Sequence, residues 1–441
     1  MDLDAFDELL TPRGQRALAE AVELVGTDPV AAATRLRKTY DAALTSAALT
    51  QAGLRERARA KFGEDAGRMY FTPHGLEQST RTEVAEHRAR RLTEARADTS
   101  PAKAPSTDAL PANTPPPGPG ISATSPHGLG IADVSPHRLD APPHGLRRRL
   151  RVVDACCGIG GDFLALARAG CTVAAVDTDP LTVAVARANA EALGLGDRVT
   201  VSVGDAAEVR PEEYDVLFAD PARRTSRGRT FDPMAYSPPW PVVLDLVSRA
   251  SRACVKVAPG IPYEFIPEGA EAEWVSYKGE VKEAALWTAQ EGAGRRATLL
   301  PGGHTLTATG AEAAVGPVGR YVYEPDGAAI RAHLVGEVSE IVNGRLPDPM
   351  IAYITGDDPI DTPWATRYEV EDVLPFSGKK LRAALRERQV GNVTIKKRGS
   401  AVDIERLRSD LRLNGEKSAT IILTRIIDKP SVIICDTSPP A

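Results

Sequence analysis

Four aspartates close four successive apolar runs between Leu150 and Pro221. Asp154 follows LRVV, Asp177 follows TVAAV, Asp205 follows Val203-Gly204, and Asp220 follows VLFA. Behind the first lies a glycine-rich loop, Cys156-Cys157-Gly158-Ile159-Gly160-Gly161. Carboxylates gathered at such a loop accept hydrogen bonds from hydroxyls and attract a cation, and they disfavour phosphate. The fourth, Asp220, is followed by Pro221-Ala222-Arg223. A carboxylate there can hold an amine and take its proton late in a transfer.

The elements needed to bring these residues together are legible. Leu150–Ala155, Thr172–Val176, Arg198–Val203 and Tyr214–Ala219 are short apolar runs, as expected of strands buried on both faces. Phe163–Ala169 reads as the first intervening helix, stopped by Gly170, and Pro180–Leu193 as the second, with Pro at its start and Gly194 at its end. In an open parallel sheet the ligand crevice lies outside the carboxyl ends of the strands, so all four acids should meet there. A dinucleotide fingerprint, G-x-G-x-x-G, is broken at its third glycine, where Phe163 stands.

S-adenosylmethionine suits an acidic crevice: it carries a sulfonium cation, an amino group and two ribose hydroxyls, and no phosphate. The series D-x-x-x-G-x-G-G, V-D-x-D, G-D, D-P over about Leu150–Leu300 resembles class I adenosylmethionine-dependent methyltransferases. That resemblance implies that Asp154, Cys156, Gly158, Gly160 and Gly161 surround the methionine end. It implies that Asp177, 23 positions after Asp154, accepts from the ribose hydroxyls with Thr178 beside it. It further implies that Asp205 meets the adenine amino group next to Ala206. Cys156 stands where a first glycine is usual, a variation also found in RNA-cap guanosine methyltransferases (DxxCGxGG). Amino-methylating members carry (D/N/S)-P-P-(Y/F/W) after the fourth strand. Asp220-Pro221 keeps the first half, and Ala222-Arg223 replaces the second. An arginine plane can stack on a base or pair with a phosphate, so Arg223, with Arg224, Arg227 and Arg229, suits a nucleic-acid acceptor. The sulfonium is a good leaving group, so alignment supplies most of the catalysis and no metal is needed. A literal Ser237-Pro238-Pro239-Trp240 has no strand before it and reads as a helix cap with prolines in the first turn.

At 441 residues the chain has room for two or three domains. Net charge is −5, and the five cysteines form no C-x-x-C pair, which suggests reduced, buried thiols of a cytoplasmic protein and no metal site. The acidic start, MDLDAFDELL, lacks the basic segment of a signal peptide, and no apolar run reaches membrane-spanning length.

Residues 1–96 read as helical, with cap-proline starts at Thr11-Pro12 and Asp28-Pro29, a breaker-poor stretch Pro29–Phe62 and a helix Glu77–Arg96. Two basic groups, Arg55, Arg57, Arg59 and Lys61, then Arg81, His87, Arg88, Arg90 and Arg91, read as solvated helix faces, with an RNA-contacting face as the alternative. Residues 97–147 are crowded with Pro, Ser, Thr and Gly and hold no Phe, Tyr or Trp, which describes a disordered linker. Pro-His-Gly-Leu recurs at 73–76, 126–129 and 143–146.

The methyltransferase segment is expected over 148–318: after Asp220 it continues through Ala253–Ala258 and Ala272–Tyr277, with Val281–Thr288 completing a hairpin edge, then Arg296–Leu300. With the four earlier strands these make eight candidate strands, and the methyltransferase resemblance implies a Rossmann-like α/β sheet of seven. A helix Ala328–Val342 and a small α+β module occupy 319–436, ahead of a short tail, 437–441. From Pro375 to Lys429 there are 14 Lys or Arg against 6 Asp or Glu, a net +8 on an acidic chain. That is an electrostatic footprint for nucleic acid, with Lys379, Lys380, Arg382, Arg386, Lys396, Lys397 and Arg398 as candidate phosphate contacts and ordinary solvated charge as the alternative. The layout resembles bacterial methyltransferases with a THUMP-like C-terminal domain, which implies RNA as partner and transfer to a base nitrogen of structured RNA. Competing readings are an RNA-binding protein that keeps the fold without catalysis, a methyltransferase of a protein or small molecule, and a nicotinamide oxidoreductase, which Phe163 disfavours.

Overall fold

The computed structural model describes residues 1–94, 148–222, 232–288 and 293–436, and the backbone of 224–225 and 228–229. The linker 97–147 with its histidine repeats, Arg223, Arg227, the side chains of Arg224 and Arg229, and the tail lie outside the described residues.

Six helices come first: α1 Leu3–Leu10, α2 Pro12–Val22, α3 Pro29–Leu36, α4 Ala42–Phe62, α5 Pro73–Gln78 and α6 Thr82–Glu94. Asp2, Thr11, Asp28 and Asp41 cap α1 to α4, each side chain accepting a backbone N–H. The Asp41 cap divides the stretch read as breaker-poor. The helix expected over Glu77–Arg96 is also divided, at Ser79-Thr80, because Thr80 is drawn into the core instead.

The catalytic sheet follows: β1 Arg151–Asp154, α7 Phe163–Arg168, β2 Thr172–Asp177, α8 Pro180–Ala192, β3 Val199–Val203 and β4 Val216–Ala219. A small hairpin, β5 Arg224–Thr225 and β6 Gly228–Arg229, precedes α9 Trp240–Arg249. Then come β7 Ala253–Val257, β8 Glu271–Tyr277, β9 Glu280–Trp287, β10 Gly294–Leu300 and β11 His304–Thr307. The strand order is β11-β10-β8-β9-β7-β4-β1-β2-β3. β1 to β4 and β7 run parallel, and only β9 and β11 run against them. The β8–β9 hairpin is therefore not the edge. β10 pairs along the whole outer side of β8, and β11 pairs with β10, so the expected seven strands are extended to nine among the described residues.

The N-terminal helices are not a separate body. Phe6, Leu44, Phe71 and Leu76 share one core with Val152, Phe163, Val185 and Trp287 of the sheet and its helices. The buried Asn189 side chain fixes the register: it accepts from Tyr70 N–H at 2.6 Å and donates to Tyr70 O at 3.0 Å and Ile159 O at 2.9 Å.

Beyond the sheet are β12 Tyr321–Pro325, α10 Gly327–Arg331, α11 Val335–Ile341, β13 Ile354–Gly356, β14 Ala365–Pro375, α12 Gly378–Glu387, β15 Val390–Lys397, α13 Ile404–Leu411, β16 Lys417–Ile426 and β17 Lys429–Cys435. Their sheet has the order β13-β12-β14-β17-β16-β15. The single helix expected over Ala328–Val342 is broken at His333, whose φ of 54° ends α10. Ala328, Leu334 and Val338 pack with Trp274 and Leu286 against the catalytic sheet, whereas Leu381, Leu407 and Ile434 build a separate core for the terminal module.

Candidate active site

Asp154, Asp177, Asp205 and Asp220 line one cleft of about 660 Å³ at the carboxyl edge of β1 to β4. Cys156, Gly158, Gly161, Thr178, Ala206 and Pro221 line it too. Gly160 does not. Its backbone sits at φ 107°, and a Cβ there would meet the Phe163 ring at 2.7 Å, so it shapes the turn from beneath. Gly161 has a second reason to be glycine: a Cβ would come within 2.9 Å of Thr80 N.

Asp154 is fully buried. Its Oδ1 accepts from Cys156 N–H at 3.3 Å, and Oδ2 has no partner among the described residues. Burial, then the charges of Asp220 and Asp177, push its carboxyl up to about 8. A buried, partnerless carboxylate oxygen facing a cleft is a place for a ligand cation. Asp177 accepts from Gly158 N–H through Oδ2 and from Asp179 N–H through Oδ1, both at 3.0 Å, which ties the end of β2 to the glycine loop. Burial raises its carboxyl above the ordinary range. Asp205 accepts from Ala207 N–H at 2.9 Å and holds Ala206 under the cleft. Burial, then Asp154, raises the Cys156 and Cys157 thiols well above their usual range, so neither is a thiolate nucleophile.

Asp220 is not a lone carboxylate. Lys256 Nζ, on β7, donates to Asp220 Oδ2 and to Thr80 Oγ1, each at 2.6 Å. Thr80 in turn donates to Asp162 Oδ2 at 2.6 Å. Arg88 of α6 bonds Asp162 Oδ1 and Glu283 Oε1, and Lys256 lies 4.0 Å from Glu283. Arg88 and Lys256 are 2% and 4% exposed, so this is a buried ionic network that the N-terminal helices complete.

The solvated-face readings are thereby corrected for Arg55, Lys61, Arg81, His87, Arg88 and Arg91, whereas Arg57, Arg59 and Arg90 are exposed as read. His87 and Arg91 reach Glu273 of β8. Burial alone would raise that carboxyl, but the His87 hydrogen bond and the Arg91 charge hold it well below its ordinary range. Arg55 bonds Met69 O at 2.9 Å, and Lys61 bonds the carbonyls of Leu76, Glu77 and Ser79 at the end of α5. The Pro-His-Gly-Leu copy at 73–76 opens α5, and its Pro73, His74 and Gly75 line the cleft opposite the sheet. Residues 72–80 were missed as site residues because nothing local marks them; their place comes from the Asn189 and Gln51 clamps on Tyr70 and Phe71.

Ser237 is likewise corrected. The cap of α9 is Pro239, and Ser237 makes no side-chain cap. Instead Ser237 and Ala222 exchange backbone bonds at 2.8 and 3.0 Å, which brings Ser237-Pro238-Pro239 into the cleft beside Asp220. Trp240 stays in the core at 3% exposure, edge-on to Tyr236.

Of the candidate phosphate contacts, Lys379, Lys380, Arg386 and Lys397 are exposed. Arg382 bonds Asp410 O, Lys396 pairs with Glu324 at 2.9 Å, and Arg398 lies over Tyr353. Within the described residues no group of three or more His, Cys, Asp or Glu is arranged to hold a metal, and no helix is long and apolar enough to cross a membrane.

Residues 149–243 match the family of RNA cap guanine-N2 methyltransferases, 365–437 match the THUMP-like domain family, and 2–58 match a domain family of unknown function. Two uncharacterized S-adenosylmethionine-dependent methyltransferases from strains of Mycobacterium tuberculosis are 32% identical over 389 residues, spanning 85% of this chain and 90% of theirs. An uncharacterized RNA methyltransferase of Parasynechococcus marenigrum is 36% identical over 91 residues, 20% of each chain. A crystal structure of a Porphyromonas gingivalis W83 protein assigned as a methyltransferase superposes with a TM-score of 0.69 at 19% identity, covering 96% of this chain and 98% of that one.

Proposed function

The chain belongs to the S-adenosylmethionine-dependent methyltransferases, and from that premise we propose that it methylates a base nitrogen of structured RNA, tRNA or rRNA. The cofactor supplies an electrophilic methyl group on a sulfonium. The site residues fit it: Asp154 Oδ2 offers an unpaired buried acceptor for an ammonium, Asp177 retains lone pairs for ribose hydroxyls, and Asp205 and Ala206 close the far end. The glycine loop keeps side chains out of the space between them.

The observation that carries the acceptor reading is the pairing at Asp220. Lys256 takes Oδ2, which leaves Oδ1 to accept an N–H from the incoming base and to receive its proton after transfer. Pro221 O, which no N–H of its own residue accompanies, is a second acceptor on the same rim. The match to RNA cap guanine-N2 methyltransferases spans the residues that build this rim, and the THUMP-like match spans the basic module; both favour RNA over a protein or small molecule.

The test is methyl transfer to total RNA from a strain lacking the gene, with labelled cofactor and nucleoside mass spectrometry. Wild-type protein is expected to produce one N-methylated nucleoside, and Asp220→Ala to produce none while binding cofactor normally. Methylated protein with unmethylated RNA would overturn the reading.

A further inference from the structure

A second cleft, of about 480 Å³, opens where the loop after β7 meets α10 and the end of β15. Three rings run through its wall from core to solvent. Trp274 is 1% exposed; Tyr263 is half-buried and stacks on it at 5.6 Å and 25°; His333 is exposed and stacks on Tyr263 at 4.4 Å and 19°. The stack is rigid at its root: Trp274 Nε1 donates to Pro259 O at 2.9 Å, and Tyr263 OH donates to Arg331 O at 2.7 Å. His333 is held at the outer end by the left-handed backbone that breaks the helix there. Burial, then Arg295, lowers its pKa, so the outer ring is a neutral imidazole.

Three guanidinium groups surround these rings. Arg331 and Arg398 line the cleft, and Arg295 lies against Tyr263 and His333. Their neighbours are neutralised: Arg296 pairs with Glu271 and Lys396 with Glu324. Arg295, Arg331 and Arg398 make no ion pair among the described residues. A planar stack ending in solvent, ringed by unneutralised arginines, has the chemistry of a single-stranded nucleotide site: base on ring, phosphate on guanidinium.

The location is consistent with that. Pro259 stands three residues past Lys256 and two beyond the end of β7, so at most roughly 10 Å of chain separates them, and Lys256 holds Asp220 at the catalytic cleft. β7 runs parallel to β4 and β1, so the loop after β7 leaves the sheet on the edge where the cofactor cleft opens.

We propose that Trp274, Tyr263 and His333, with Arg295, Arg331 and Arg398, form a platform that stacks one unpaired RNA base near the acceptor and holds its phosphates. This rests on the RNA reading above and names how that substrate is gripped. The test is fluorescence anisotropy with labelled single-stranded adenosine oligonucleotides and with structured RNA, on the full chain. His333→Asn keeps a residue that tolerates the left-handed backbone and removes most of the ring's stacking surface; it is expected to weaken oligonucleotide binding about tenfold. Arg331→Ser, at an exposed position, is expected to reduce the slope of log Kd against log salt by about 1. Cofactor affinity and melting temperature should stay at the wild-type value in both. Wild-type protein that binds no RNA would sink the RNA reading and this platform together. Wild-type protein that binds RNA while both variants bind equally well would sink the platform alone. Displacement of the oligonucleotide by an equal concentration of adenosine monophosphate would assign the cleft to a free nucleotide instead.

Discussion

Replacing Asp154 with asparagine should change how cofactor binding depends on pH, not only how strong it is. The carboxyl is fully buried, one oxygen has no partner, and burial with the nearby Asp220 and Asp177 charges holds it at about 8. At pH 7 only about one-tenth of the free protein then carries the carboxylate that a ligand ammonium requires, so affinity should rise about tenfold per pH unit below pH 7 and level off toward pH 8. Binding at pH 7 should release about 0.9 proton from Asp154, less roughly 0.1–0.2 taken up by the ligand amine. An α-amino group itself loses its proton near 7.7–8.0, so the profile should peak close to pH 8. Calorimetry at several pH values, in two buffers of different ionisation enthalpy, measures both quantities. Asp154→Asn should flatten the rising limb and abolish the proton release, with affinity at pH 8 lower by at least about tenfold, the worth of a hydrogen bond to a charged partner. The stability effect has the opposite sign. A carboxyl raised from 3.8 to about 8 stabilises the fold fully below about pH 4 and loses that contribution as pH rises through about 8, so the asparagine protein should melt higher than wild type above pH 8. A wild-type affinity independent of pH, or equal proton release by both proteins, would refute the assignment of Asp154 to the ammonium.

Lys256→Met removes the cation shared by Asp220, Thr80 and Asp162 and should cost about 3–5 kcal/mol of stability, the usual result of unpairing a buried ion pair. It should also lower kcat while cofactor affinity changes little, which turnover and calorimetry separate; unchanged kcat would detach Asp220 from the chemistry. Gly161→Val pushes a side chain into Thr80 and should destabilise by about 1–3 kcal/mol, with residues 72–80 becoming protease-sensitive first; wild-type proteolysis would show that the N-terminal helices do not depend on that contact. Asp177→Ala should weaken cofactor binding about tenfold or more, since a carboxylate that receives hydroxyl hydrogen bonds is worth that much; unchanged affinity in calorimetry would remove the ribose assignment.

The cleft itself was legible because its parts are local. Each of the four acids sits within two residues of an apolar run, and the glycines at 158 and 160 mark a turn that only positive φ allows. The part of the ionic network behind Asp220 that the N-terminal helices supply was not legible, because it arrives from far away. Arg88 meets Asp162 across 74 positions and Glu283 across 195, and counting charges along α6 cannot distinguish such a residue from a solvated one. Ser237 was misread for a related reason: its place in the cleft depends on a backbone exchange with Ala222, a contact without sequence periodicity. The extent of the sheet was underread because the hairpin looks complete on its own: β10 was read as a strand but not as the outer neighbour of β8, and β11 was not read at all. Lys396 illustrates the limit of net charge as evidence. The module is strongly basic, yet this lysine is spent on Glu324, whereas Arg331 and Arg295, outside the most basic stretch, make no ion pair among the described residues.

The central claim is that carboxylates at neighbouring strand ends hold an adenosyl amino acid between the sheet and residues 72–80. A crystal structure of the full chain with S-adenosylhomocysteine tests it most directly. The amino group is expected against Asp154 Oδ2, the ribose hydroxyls against Asp177 and the adenine beside Asp205 and Ala206. Electron density for the ligand anywhere other than this cleft, or within it with the ribose turned away from Asp177, would contradict the account.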